Sequence, residues 1–410
     1  MVTDMSAQKE EEFRRRANSQ LQAEHRYVRC GRYSRAKSEY LSLEMSPFIL
    51  LYRLYWYGKP LGIRGRGIRR TLGDCRRLIH MMRILFYYRR HAPGPNDLLV
   101  LPVPGDLCRQ VQKGYKVFDF RRKVVIKVFK PSIDPASVRR EIANVRRVGA
   151  HCFAPTVHSW DVEERWYEED FVDAYRVARP SLVVFLDTFH VSVPPLLVPV
   201  LLAFPPEVRR SIEYVEELIR LNLSKLGEPT VQDLDTVKVT KIKRFFDQTM
   251  DRLRLEGDRP IYLGWSHGDF STQHVLMANH GSGPVLIDWE RSGYRSVMYD
   301  LYDAFFKRLR QVGRADPEMV VTMRKAISRF RSHLVLHASA DYHALIASLD
   351  AAELYRFIYS IEKVCKSIGR NMTDRKLDRI MTYLNVYTCY EQRLLEDIDH
   401  KYAVSHQKLN

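Results

Sequence analysis

The stretch Trp265-Ser-His-Gly-Asp-Phe-Ser-Thr-Gln-His-Val-Leu276, followed by Leu286-Ile-Asp-Trp-Glu290, decides how the rest of the chain is read. Ile261, Tyr262 and Leu263 form a short apolar run that predicts a strand, and Gly268 opens a loop on which Asp269 stands. Val285, Leu286 and Ile287 predict a second strand, which ends at Asp288 after a turn marked by Asn279, Gly281, Ser282 and Gly283. The pattern therefore sets one acid on a loop and a second at a strand end.

Two acids so placed suit phosphoryl transfer, in which one orients a hydroxyl and accepts its proton while the other holds magnesium on nucleotide phosphates. Upstream, Arg109 to Gln112, Tyr115 to Phe120 and Val124 to Lys130 predict three strands with turns at Lys113-Gly114 and Arg121-Arg-Lys123. Lys127 lies within Val124-Val-Ile-Lys-Val-Phe129, and a lysine on a buried strand is costly unless its charge is paired. The plainer alternative is an edge-strand lysine facing water. Asp134-Pro135 supplies a cap and a first-turn proline for a helix through Val148, and Glu141 is the first acid within it. Glu141 is the natural partner for Lys127; otherwise it is a surface carboxylate answering Arg139, Arg140 and Arg146. Thr156 to Val162 and Trp166 to Val172 predict a further hairpin turning at Glu163-Glu164.

His267-Gly268-Asp269 followed by Ile287-Asp288 resembles the catalytic and metal-binding loops of the protein-kinase-like superfamily, in the variant of the aminoglycoside and choline phosphotransferases. The resemblance runs from Leu107 to about Phe306 in the order strand lysine, helix acid, catalytic loop and metal acid. It implies an α+β, bilobal protein-kinase-like fold: a small antiparallel-sheet lobe and a larger helical lobe, here with a helical, basic N-terminal extension. The expected divisions are a polar helix or mobile arm at 1–45, a basic aromatic amphipathic extension at 46–96, a small nucleotide-binding lobe at 97–172 and a large helical catalytic lobe at 173–410. The resemblance also implies ATP and Mg2+. Asp269 would be catalytic, Lys127 and Glu141 would hold ATP, and Gly114 would lie under the phosphates. Glu169 to Val172, Phe171 included, would offer backbone groups to the adenine, and Asp288 would bind the metal.

One position departs from the family pattern. Five residues after the catalytic Asp these enzymes commonly carry a metal-binding Asn, and this chain has His274. A neutral imidazole is a poor ligand for a hard, oxygen-seeking cation, so Gln273 is a stand-in and the metal would rest mainly on Asp288 and the phosphates. His at this place resembles the kinases that phosphorylate sugars of the bacterial lipopolysaccharide core; it equally fits a weakened or inactive kinase. Tyr299-Asp300-Leu301 resembles the family's post-loop acid, which gives Asp300 a bracing role, while Asp303, Arg308 and Arg310 stay unassigned near an acceptor.

Charge bears on the partner. Lys plus Arg exceed Asp plus Glu by 66 minus 49, a net +17, which points to nucleic acid, an anionic membrane or an anionic substrate. No nucleic-acid motif accompanies the charge, so nucleic acid is not expected. Six scattered cysteines (Cys30, Cys75, Cys108, Cys152, Cys365, Cys389) without metal-ligand spacing suit a reduced, cytoplasmic chain. Phe48-Ile-Leu-Leu-Tyr-Arg-Leu-Tyr-Trp-Tyr57 is aromatic and apolar, and Arg69, Arg70, Arg76, Arg77, Arg83, Arg89 and Arg90 alternate with Leu78, Ile79, Met82, Leu85 and Phe86 near helical spacing. Residues 48–90 are therefore expected to meet an anionic membrane surface, peripheral on the inner face of the cytoplasmic membrane, or else to pack as a helical extension with solvated arginines. Ser181 to Phe204 is largely apolar, but its prolines and Asp187 argue for burial rather than spanning. A basic chain favours an anionic acceptor; with its basic, aromatic arm and the catalytic-loop His274 the chain resembles a kinase of lipid-linked sugar, and that resemblance implies ATP-dependent phosphorylation of a sugar or glycolipid of the lipopolysaccharide-core type. A small-molecule kinase of the aminoglycoside or choline type and a non-catalytic kinase-like scaffold are the alternatives.

Overall fold

A computed structural model describes residues 24–34, 37–44, 46–57, 68–94, 96–151, 153–176, 181–226, 234–278, 284–312, 318–368 and 372–407. The chain divides into two compact units, Met1–Val177 with Gln273–Glu290 and Ala178–Thr272 with Arg291–Asn410. The glycine-marked turn before Asp288 and the N-terminal charged run lie outside the described residues.

The first unit is built on an eight-stranded sheet. Its strands are β1 (His25–Ser34), β2 (Lys37–Ser42), β3 (Leu98–Leu101), β4 (Leu107–Val111), β5 (Gly114–Asp119), β6 (Val124–Phe129), β7 (Val157–Asp161) and β8 (Trp166–Asp170), in the order β3-β1-β2-β4-β5-β6-β8-β7. All the pairings are antiparallel. β6 is interior between β5 and β8 and buried along its length, which excludes the edge-strand reading of Lys127. Helix α3 (Pro135–Gly149) starts as its sequence predicts, with Asp134 accepting from the Ala136 N–H and Pro135 at the first position.

One expectation is corrected here. Within the segment 1–45, expected to be a polar helix or mobile arm, His25–Ser34 and Lys37–Ser42 form β1 and β2. Burial on both faces of the sheet explains it: Tyr27 enters one core cluster, its neighbour Val28 joins Leu41 in the other, and the polar Glu39 is buried because Arg109 on β4 pairs with it at 2.9 Å. Part of the apolar set of the N-terminal extension is used internally, as the packed-extension alternative has it. Helices α1 (Pro47–Tyr57) and α2 (Ile68–Arg90) pack Leu50, Leu54, Leu78, Met81 and Leu85 with Val28, Leu107, Phe118 and Phe120 of the sheet unit. The one charge in the aromatic run, Arg53, is directed at buried Asp106, 2.7 Å away, whose other oxygen accepts from the Phe120 N–H.

The second unit is mainly helical, with a three-stranded sheet of Glu207–Arg210, Pro260–Ser266 and Gly293–Ser296. The segment from Val208 begins as strand before helix Ser211–Leu226, because Val208 and Arg209 pair with Tyr262 and Ile261. The apolar run from Ser181 forms two helices, Leu182–Ser192 and Pro194–Ala203, broken at Val193. Val183–Ala203 is long and apolar enough to cross a membrane by length and composition, yet Phe185, Leu186, Phe189, Val198 and Leu201 are core residues. Helix Tyr299–Val312 is fixed by aromatic packing: the Phe306 ring lies 5.6 Å from Tyr359 and 5.3 Å from Tyr390. That packing sets where Asp300, Asp303 and Lys307 stand.

Candidate active site

In the first unit the sequence-predicted nucleotide residues gather around β6. The buried Lys127 ammonium is ion-paired to Glu141 of α3 and lies 3.4 Å from Glu290 Oε2. Lys113, from the turn between β4 and β5, reaches the same two acids, at 3.0 Å to Glu141 and 3.2 Å to Glu290. Tyr167 donates its hydroxyl to Glu141 across 3.4 Å. Lys116 on β5 stands opposite Lys127 in the register, so two ammonium groups share one face of the sheet. Their repulsion is offset by carboxylates: Lys116 Nζ is 2.9 Å from Asp288 Oδ1.

Asp288 follows strand Pro284–Leu286 in a left-handed conformation, φ 67°, which turns its side chain out of the strand direction. Lys116 above all, with His274 and Lys127, holds its carboxyl far below the usual carboxylate range despite burial. His274 Nε2 lies 3.9 Å from Asp288 Oδ2. Glu169 on β8 behaves oppositely: burial pushes it up to about 7, although Lys116 and Lys127 act to lower it. Lys116, Lys127, Glu141, Tyr167, Glu169, Asp288 and Trp289 line one cavity, closed by Val145 and Pro155. Lysines and carboxyl groups thus face one another across a small cavity.

Three further predicted residues stand as follows. At Gly114 a Cβ would stand 1.9 Å from the Val128 carbonyl oxygen, so the close approach that needs glycine is between β5 and β6. Phe171 donates its N–H to the Lys123 carbonyl at 2.8 Å and sends its ring 5.4 Å from Phe120 in the core. Gln273 is exposed on the single turn Thr272–His274.

Asp269 belongs to the second unit, just after strand Pro260–Ser266. Gly268 has φ 75°, and a Cβ there would meet the Arg291 carbonyl oxygen at 2.2 Å, so only glycine permits this turn. Asp300 accepts from the His267 N–H at 2.5 Å and the Gly268 N–H at 2.9 Å, which braces the loop. His267 is buried, and its Nδ1 accepts from the Asp269 N–H at 3.3 Å, consistent with bracing rather than proton transfer. Burial works against ionisation of Asp269, but Lys307 and then Arg291 outweigh it and hold its carboxyl below the usual range. Lys307 is hydrogen-bonded to Asp269 and, at 3.1 Å, to the Phe270 carbonyl. It also pairs with Asp303 Oδ2 at 2.7 Å, and Lys363 pairs with the other oxygen of that buried acid.

Sequence reasoning missed Lys113, Lys116, Glu290 and Lys307. Hairpin arithmetic could have found Lys116, because the turn at Arg121-Arg-Lys123 sets residue 116 opposite 127. Asp303 and Lys307 stand four apart on one helix, a readable pair.

Residues 202–328 match the model of the phosphotransferase enzyme family, a segment that includes Asp269, Asp288, Asp300 and Lys307. Among solved structures, an ethanolamine kinase from Plasmodium vivax is 14% identical, over 67% of this chain and 78% of that one, with a TM-score of 0.44. A choline kinase from Streptococcus pneumoniae is 15% identical over 68% and 90% of the two chains, with a TM-score of 0.40. A Streptomyces rimosus aminoglycoside phosphotransferase, in complex with ADP and streptomycin, is 14% identical over 58% and 89%, with a TM-score of 0.37. No curated protein sequence matches the chain. The family match, together with an antiparallel sheet unit and a helical unit, supports the protein-kinase-like phosphotransferase superfamily.

Proposed function

We propose that the chain is an ATP-dependent phosphotransferase acting on a hydroxyl of a sugar or glycolipid, with an acceptor of the lipopolysaccharide-core type at the inner membrane surface. The observation that carries the reading is the buried Lys127–Glu141 pair beside ionised Asp288, in a cavity that Lys116 also lines. Lys127, Lys116 and Lys113 would bind phosphate oxygens, with Glu141 holding Lys127 in place. Asp288 fits a magnesium ion that comes with the nucleotide, because such an ion needs only one or two carboxylates besides phosphates and water. When bound, the metal would neutralise charge on the phosphates; Lys116 would then exchange Asp288 for a phosphate. His274 is too weak a ligand for this ion to be counted on.

The acceptor oxygen would attack the terminal phosphorus as the bond to the ADP oxygen breaks, and Asp269, kept ionised by Lys307, would receive the hydroxyl proton. Catalysis would then rest on position and charge. The net charge of +17 supports an anionic acceptor over aminoglycosides or choline, which are cations. A second reading, a kinase-like scaffold, is favoured by one observation: Asp269 and Asp288 are each occupied by an internal lysine.

The test is ATP turnover with magnesium by the purified protein and its Asp269→Ala variant, with and without core glycolipid from a strain lacking the protein. Phosphate appearing on glycolipid only with the unmodified protein supports the full reading. Turnover on a soluble alcohol or amine alone moves the assignment to a small-molecule kinase. No turnover and no ATP-induced thermal shift leaves the scaffold.

A further inference from the structure

With one face of α1 and α2 packed into the core, the opposite face can be read by itself. Phe48 and Tyr52 of α1 are 66% and 64% exposed, and Ile79 and Phe86 of α2 are 52% and 40% exposed. Ile79, Arg83, Phe86 and Arg90 recur at spacings of four, three and four, one stripe of the helix opposite Leu78, Met81 and Leu85. The Phe48 and Phe86 rings meet edge to face at 5.9 Å, joining the two helices' outer faces into one patch. Arg83 and Arg90 are exposed on that stripe, whereas Arg53, the only charge on α1, is turned inward to Asp106. The patch therefore presents large apolar side chains interleaved with cations and no acid of its own helices in the described stripe.

We infer that this outer face, centred on Phe48, Tyr52, Ile79 and Phe86 with Arg83 and Arg90, docks on an anionic lipid bilayer. Rings and aliphatic groups would enter the headgroup boundary, and the arginines would lie against lipid phosphates. The periodic apolar set of α2 is thereby divided: Leu78 and Leu85 are spent on the core, while Ile79 and Phe86 stay outside. The inference extends the glycolipid reading of the acceptor, but lipid binding needs no turnover, so each can fail without the other.

The experiment is flotation of the full chain with vesicles of phosphatidylglycerol and phosphatidylcholine in equal parts, against vesicles of phosphatidylcholine alone. The full chain is expected to float with the anionic vesicles only, and less at high salt. Phe48→Ser with Phe86→Ser, and separately Arg83→Gln with Arg90→Gln, should each weaken binding roughly tenfold. Both variants should keep the parent melting temperature, and Leu336→Ser, at an exposed site of the second unit, should bind like the parent. Equal flotation of the Phe48/Phe86 variant, or absence of flotation by the parent, overturns the inference. So does lipid-free self-association that the same double variant abolishes, which would make the face an interface between copies.

Discussion

Lys307 is bonded to Asp269, and through the same ammonium to Asp303, so the acid of the loop is held by a residue two helical turns into Tyr299–Val312. Asp303 is fully buried, and Lys307 and Lys363 keep it ionised, far below the usual range, against the cost of burial. The loop acid is thus positioned from beneath by a network of fixed charges rather than by the loop alone.

Lys307→Met should therefore lower kcat on the order of a hundredfold, the scale of a misplaced reacting group. It should also change the pH profile. In the proposed mechanism activity needs the Asp269 carboxylate, and removing the ammonium raises the pKa of that group, so the acid limb should move to higher pH. Lys307→Arg should restore the limb. A rate loss with an unmoved limb would reduce Lys307 to a structural part.

Lys127→Met tests the nucleotide half-site. Glu141 would keep Lys113 at 3.0 Å, so the fold should survive with a loss of about 1–3 kcal/mol, read by urea denaturation. ATP binding, followed by calorimetry, should fall by more than tenfold, since the proposed phosphate-binding cation is gone. Unchanged affinity would remove Lys127 from the site.

Glu169 gives a pH-dependent term in stability. Its carboxyl is pushed up from 4.5 to about 7 by burial, so the folded state holds the proton more tightly than the unfolded chain does. The associated stability is fully present below pH 4.5 and is lost as pH rises through 7. Glu169→Gln should remove the loss: the variant should gain about 1–3 kcal/mol over the parent at pH 8 and show little gain at pH 5. Parallel melting curves at both pH values would contradict this.

His274→Asn addresses the metal. An amide oxygen suits magnesium better than an imidazole nitrogen, so the variant should need severalfold less magnesium for half-maximal turnover. Chelation should abolish turnover in both proteins. An unchanged magnesium requirement would mean that residue 274 does not face the ion.

The local chemistry of this protein was legible in the chain. Strong signals were the Asp134-Pro135 cap, the apolar strand around Lys127, and glycine before Asp269, each set by interactions within a few residues. The polar strands β1 and β2 were not, because what makes Glu39 buriable is Arg109, far along the sequence, and a polar run without its partner reads as solvent-exposed. Lys116 and Lys307 became site residues only through register and helix packing, which bring them to Asp288 and Asp269. The same holds for α1 and α2: α1 read as an aromatic, apolar run and α2 as amphipathic by its periodicity, but burial of Leu50, Leu54, Leu78, Met81 and Leu85 decided which face stays outside. Sequence carries short-range propensity and pattern; which of two apolar faces is covered, and which charge meets which, depends on long-range pairings that exist only once the chain has folded.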